Sequence, residues 1–215
     1  MADPHRGHRG FRSTDTSPEA PVPAVFTEAV AALSTLAPRP EFELETLPGP
    51  RRLAAHSHAV SASVYDEDGE EIASGRFVLL FEPDGPEEWR GVFRCVTFAQ
   101  AELEAEITED PLLPEVVWSW LTEALDTFDA AYDALGGTVS RSASDSFGEL
   151  AQRPVSTCVE LRASWTPVDE TDEWSPSAAH AAVAAHFAAW LDLLASAAGL
   201  PPLVAGVTAL PKSSR

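Results

Sequence analysis

Phe77-Val78-Leu79-Leu80-Phe81 is a continuous apolar run, closed at once by Glu82-Pro83-Asp84-Gly85-Pro86. The run is too short for a helix, and side chains of both parities are apolar. A strand covered on both faces has that pattern, so the segment from Ile72 to Phe81 is predicted to lie centrally in a sheet. Asp66-Glu67-Asp68-Gly69 is a turn that leads back to Val60, Ala62 and Val64, which alternate with serines. Pro48-Gly49-Pro50 separates that strand from Glu41-Phe42-Glu43-Leu44-Glu45, whose acids mark a wet face. On the other side, the Pro83–Pro86 turn leads into a strand from Trp89 to about Ala99. Connections this short make the pairing antiparallel.

Helical periods flank these strands. After Pro23, the residues Val25, Phe26, Ala29, Val30 and Leu33 share a stripe, and Pro38 and Pro40 end it. Asp110-Pro111-Leu112-Leu113-Pro114-Glu115-Val116-Val117-Trp118-Ser119-Trp120-Leu121 opens a second helix, predicted over about 114–135. Its stripe is Val117, Leu121, Ala124, Phe128, Ala131 and Leu135, with Gly136-Gly137 as the stop. Thr138 to Phe147 is polar and reads as an edge strand. In the next strand Val159, Leu161, Ala163 and Trp165 point one way, and Cys158, Glu160, Arg162 and Ser164 the other. Ser175-Pro176 caps a last helix to about Ala198, with Val183, Phe187, Trp190, Leu191 and Leu194 inward and Gly199 closing it. The sum is one α+β domain over residues 22–211. It is an antiparallel sheet of about six strands with three main helices packed mostly on one face. Residues 1–21 and 212–215 are expected to be disordered, and the apolar Leu200–Pro211 stretch to be pinned to the body.

The formal charge is −20, and 14 acids against two arginines fall between Glu82 and Asp133. Phosphate repels such a chain, so direct nucleic-acid binding is not expected. No run of 18 apolar residues suggests a membrane span. The arginine-bearing N-terminus lacks the apolar core of a signal peptide, so a cytoplasmic location is expected. Cys95 and Cys158 lie far apart and are expected to be reduced and packed.

Chemistry-bearing motifs are missing: there is no glycine-rich phosphate loop, no GxSxG, no CxxC and no HExxH. Hence no catalytic residue, metal site or cofactor is assigned. His56-Ser57-His58 places two imidazoles on one side of a strand but lacks a third ligand. His180 and His186 are six apart on a helix and receive no joint role. Glu102, Glu104 and Glu106 share one side if extended. Trp118 lies off the helical stripe, either packed on a neighbouring segment or anchoring a partner.

Five segments together carry a resemblance: FRCVTFAQAELEAEI, DPLLPEVVWSWLTEAL, GTVSRSASDSFGEL, VELRASWTP and AAGLPPL. Over about Phe26 to Leu210 the chain resembles an actinobacterial family of uncharacterised proteins, number three thousand in the domain-of-unknown-function series. The resemblance implies a cytoplasmic protein of about this size and carries over no catalytic residues.

Two functional expectations follow. The first is a non-enzymatic interaction, adaptor or regulatory protein that meets a protein partner through an acidic and aromatic surface of Glu102, Glu104, Glu106, Trp118 and Asp126. The second is a binder of, or enzyme for, an anionic metabolite. Its pocket between sheet and helices would be lined by Arg94, Arg141, Asp145, Arg162 and Trp165. Nucleic-acid association remains only as recruitment through another protein.

Overall fold

Both faces of the Phe77–Phe81 run are covered, and the run ends the third strand of a six-stranded antiparallel sheet. The structure, a computed structural model, describes residues 21–104, 107, 110–150, 152, 156–169 and 173–202. The strands are β1 (Phe42–Leu47), β2 (His56–Tyr65), β3 (Glu71–Phe81), β4 (Phe93–Leu103), β5 (Tyr132–Ser144) and β6 (Ser156–Pro167). Their order is β1-β2-β3-β4-β6-β5, so β5 is the edge strand that its polar sequence suggests. The helices are α1 (Ala24–Ala32), α2 (Leu113–Thr127) and α3 (Pro176–Ala197). The fold is α+β. The expected tail and end segments lie outside the described residues.

Odd and even residues of β3 serve different sides. Phe77, Leu79 and Phe81 join the core shared with all three helices, whereas Val78 and Leu80 join a small cluster on the opposite side. Phe77 meets Phe187 and Trp190 of α3, with ring centroids 5.4 and 5.6 Å apart. Helix α3 is the hub, packing on α1, α2 and strands β3, β4 and β6. It comes close because β3 has no side chain at Gly75. A β-carbon there would stand 2.9 Å from Leu194 Cδ2 and 2.9 Å from the Phe98 carbonyl oxygen. Ser175 caps α3 by accepting from the Ala178 N–H at 3.1 Å, and Gly199 (φ 67°) closes it. By length and composition α3 could cross a membrane, yet it is the core helix of the sheet.

Several boundaries differ from the sequence reading. Helix α2 stops at Thr127, not Leu135. Asp129 takes φ 49°, its N–H bonds the Asp126 carbonyl, and the Ala130 N–H bonds the Leu125 carbonyl at 2.9 Å. That is a Schellman ending with Asp in the glycine position. Phe128 is consequently exposed, while Ala131 falls in the link to β5 and Leu135 within that strand. Gly136-Gly137 is no helix stop but part of β5, just after a bulge between Asp133 and Gly136. Strand β4 starts at Phe93 rather than Trp89, because the chain turns through Pro86–Arg90 with Arg90 at φ 59°. It continues to Leu103 rather than Ala99.

Candidate functional site

No pocket opens between the sheet and the helices at the residues expected to line one. Trp165 is fully buried there, and its indole N–H donates to His186 Nδ1 at 3.1 Å. Arg141 is on the helix-side parity of edge strand β5 and donates to the Asp110 carbonyl at 2.9 Å. Asp145 is exposed beyond the end of β5. Arg94 and Arg162 lie on the other face of the sheet, as the strand alternation requires. The five residues therefore do not converge.

Arg94 is a structural tie. Its guanidinium donates to the Ala134 carbonyl and Thr166 Oγ1, each at 3.0 Å, and to Ser164 Oγ at 2.7 Å. It thereby pins the β5 bulge, where Ala134 has φ 49°. Burial pulls its pKa below the usual arginine value, with the neighbouring Cys95 opposing.

The face without helices is built in cross-strand rows. Ser61, Arg76, Phe98, Arg162 and Thr138 are register partners across β2, β3, β4, β6 and β5. The adjacent row is Val78, Val96, Ser164 and Gly136. Trp89, Ala54 and Leu47 cover one end of this face over Val78 and Leu80. The middle stays open as a groove of about 570 Å³ between Arg76 and Arg162. The Arg162 guanidinium carbon is 5.5 Å from the Phe98 ring centroid, and Nη2 is 2.9 Å from Glu160 Oε1. Arg76, exposed, has no side-chain hydrogen bond or ion pair among the described residues. The alternating pattern of β6 foretold which face Arg162 takes, but Arg76 was missed because its strand was read only for its apolar run.

A second concavity, about 450 Å³, lies where the end of β4 meets the start of α2 and the end of α3. Leu103, Ile107, Leu113, Val116 and Trp120 give it apolar walls, Glu104 and Asp110 bring carboxylates, and Glu102 stands at its rim, on the β4 parity that belongs to the face without helices. The last turn of α3, Ser196 to Gly199, closes it. Arg141 reaches its rim, where it donates to the Asp110 carbonyl, and no basic side chain is among its described lining residues. The carbonyl end of a long helix adds partial negative charge, and no basic residue stands in that helix's last turn.

This cleft gathers Glu102 and Glu104 from the expected acidic surface, but not the rest of it. Glu106 lies outside the described residues. Trp118 is half-buried against the main core, and Trp120 is the tryptophan that lines the cleft. Asp126 is exposed in the last turn of α2, about 20 Å along the helix from its start.

Groups with shifted acidity are shifted by burial. Cys95 and Cys158 are both pushed up, Cys158 further by Glu102 and Glu160. Cys95 is buried and Cys158 half-buried, and both thiols are free. His58 is pulled down by burial, and the His56 ring lies tilted against Phe26 and Phe81, with centroids 5.5 and 6.1 Å away. Among the described residues no three His, Cys, Asp or Glu side chains are placed to hold a metal ion.

A family model described as "Protein of unknown function (DUF3000)" matches residues 22–208. No curated protein and no solved structure matches the chain.

Proposed function

We propose that this chain, which belongs to the family of unknown function that matches residues 22–208, is a non-enzymatic interaction protein that docks a basic, apolar segment of a protein partner. One observation carries the reading. The cleft at the β4–α2–α3 junction joins an apolar wall, the carboxylates of Glu104 and Asp110 with Glu102 at the rim, and a helix C-terminus. Lysine or arginine side chains of a partner meet carboxylates and carbonyls there, while its apolar side chains cover Val116 and Ile107, which are 44% and 46% exposed. Burial of that apolar surface supplies affinity, and charge supplies orientation and speed of encounter. The other acid-rich segment, Glu82 to Glu88, stands at the opposite end of β4, about 33 Å away. The negative charge is thus split between two ends, and the cleft with Val116 and Ile107 in its wall stands at the α2 end.

The test is fluorescence anisotropy of a labelled peptide carrying leucine and lysine at helical spacing. Glu102→Gln with Glu104→Gln is expected to weaken binding about tenfold, or about 1.4 kcal/mol. Glu87→Gln with Glu88→Gln removes the same charge at the far end and is expected to cost less than about twofold. Equal losses in the two double variants would mean that net charge alone attracts the peptide, and the proposal fails.

A further inference from the structure

The wet face of an antiparallel sheet ordinarily carries polar side chains of both signs. In this one the acids stand at the margins, Glu45 beyond Ser61 in the same row and Glu160 one row along, and the middle is apolar between two arginines. Val78, Val96 and Phe98 form an apolar floor, and arginines flank the phenylalanine on both sides in strict register. Arg76 and Arg162 stand on strands separated by one other, so their α-carbons are about 10 Å apart. Two guanidinium groups facing across an aromatic ring are an unfavourable pair unless something negative lies between them. Glu160 occupies one edge of Arg162 at 2.9 Å, and nothing among the described residues occupies Arg76.

The floor continues to β5 through a missing side chain. Gly136 faces the groove beside Ser164, and a β-carbon built there meets nothing within 4 Å. Its φ is not positive, so the backbone does not demand glycine. Gly137 is different, because a β-carbon there would be 2.3 Å from the Arg162 carbonyl oxygen. Close strand packing explains Gly137; an open groove is what Gly136 leaves.

We propose that the Arg76–Phe98–Arg162 row, with the space over Gly136, binds a small planar aromatic anion. The flat body lies on Phe98, Val78 and Val96, and its carboxylate, sulfonate or phosphate is held by the guanidinium forks. Ser164 and Thr138 supply hydroxyls at the β5 side. Charge complementarity selects this occupant. In a molecule of charge −20 an acidic macromolecule is repelled over the whole approach, whereas a small anion feels mainly the local arginines. A second copy docked face to face by a twofold axis would bring the same arginines together.

The probe is anilinonaphthalene sulfonate, compared with its uncharged relative phenylnaphthylamine, both followed by fluorescence with the full chain. The expected result is one saturable sulfonate site, at least about tenfold tighter than the neutral compound. Arg76→Gln with Arg162→Gln is expected to erase that difference. Gly136→Val is expected to abolish sulfonate binding without lowering the thermal midpoint, because valine suits a strand and a β-carbon there has nothing within 4 Å. Glu104→Gln leaves sulfonate binding unchanged, so this site and the acidic cleft stand or fall separately. Equal affinity for both probes, or binding indifferent to Gly136→Val, overturns the proposal. So does a wild-type dimer that Gly136→Val converts to monomer, since the groove would then be a self-interface.

Discussion

His186 is 1% exposed, and the Trp165 indole N–H donates to its Nδ1. An indole nitrogen only donates, so Nδ1 carries a lone pair and the ring is neutral with its proton on Nε2. Burial, the larger cause, lowers the imidazole pKa from 6.5 to about 4, and a hydrogen bond with the Ala131 backbone opposes it. Between those values the unfolded chain binds the extra proton. Stability from this group is therefore complete above about pH 6.5 and is lost as pH falls toward 4, by about 3 kcal/mol in all. Urea unfolding across that range checks the sign. His186→Leu is expected to lose most of this slope, while starting about 1–3 kcal/mol less stable near pH 7 because Trp165 loses its acceptor. Coincident slopes would contradict the assignment. The other core tryptophan behaves differently: Trp190 Nε1 is buried with no partner among the described residues. Trp190→Phe discards an unsatisfied donor, so thermal denaturation should show it costing less than Trp165→Phe, which strands His186. Inward placement of both tryptophans was legible from the alternation and the helical stripe. The Trp–His bond was not, because it joins segments 21 residues apart and no local spacing links a strand tryptophan to a helix histidine.

The end of α2 shows why a helix boundary can be misread. Phe128, Ala131 and Leu135 continue a helical spacing, and Gly136-Gly137 offers an obvious stop. The chain instead leaves the helix at Asp129, a residue type that tolerates the left-handed conformation with a local penalty. Asp129 also sets a negative charge at a helix C-terminus, where the dipole disfavours it. Asp129→Gly is expected to raise stability by about 0.5–1 kcal/mol in chemical denaturation; a loss would mean that the aspartate makes a compensating contact. The contact between α3 and β3 gives the opposite expectation. Gly75→Ala drives a methyl against Leu194 and the Phe98 carbonyl, at an expected cost of about 1–3 kcal/mol. The strands, their antiparallel pairing and the capped helix α3 were legible because period, turn residues and an N-cap agree there. The β5 bulge was not, since Arg94 holds it from 40 residues away, while the local bond from the Ala134 N–H to Asp133 Oδ1 at 2.5 Å leaves no mark on the apolar pattern.

At the scale of the whole molecule, described side chains fill the sheet–helix space around Phe77, Trp165 and Trp190, so the pocket expected there does not form and binding is argued for the outer surfaces. The sequence showed that negative charge concentrates between Glu82 and Asp133. It did not show that β4 separates the Glu82–Glu88 acids from Glu104 and Asp110, which stand beside an apolar wall at its other end. Nor did it bring Arg76 beside Arg162, because strand order is invisible to local patterning. Reversing charge in the cleft tests the central claim most directly. Glu102→Lys with Glu104→Lys, titrated with leucine–lysine and leucine–glutamate peptides in matched salt, is expected to exchange the preference, by about tenfold in each direction. If the reversed protein still binds the leucine–lysine peptide as tightly as the parent does, the cleft is not where a basic partner docks.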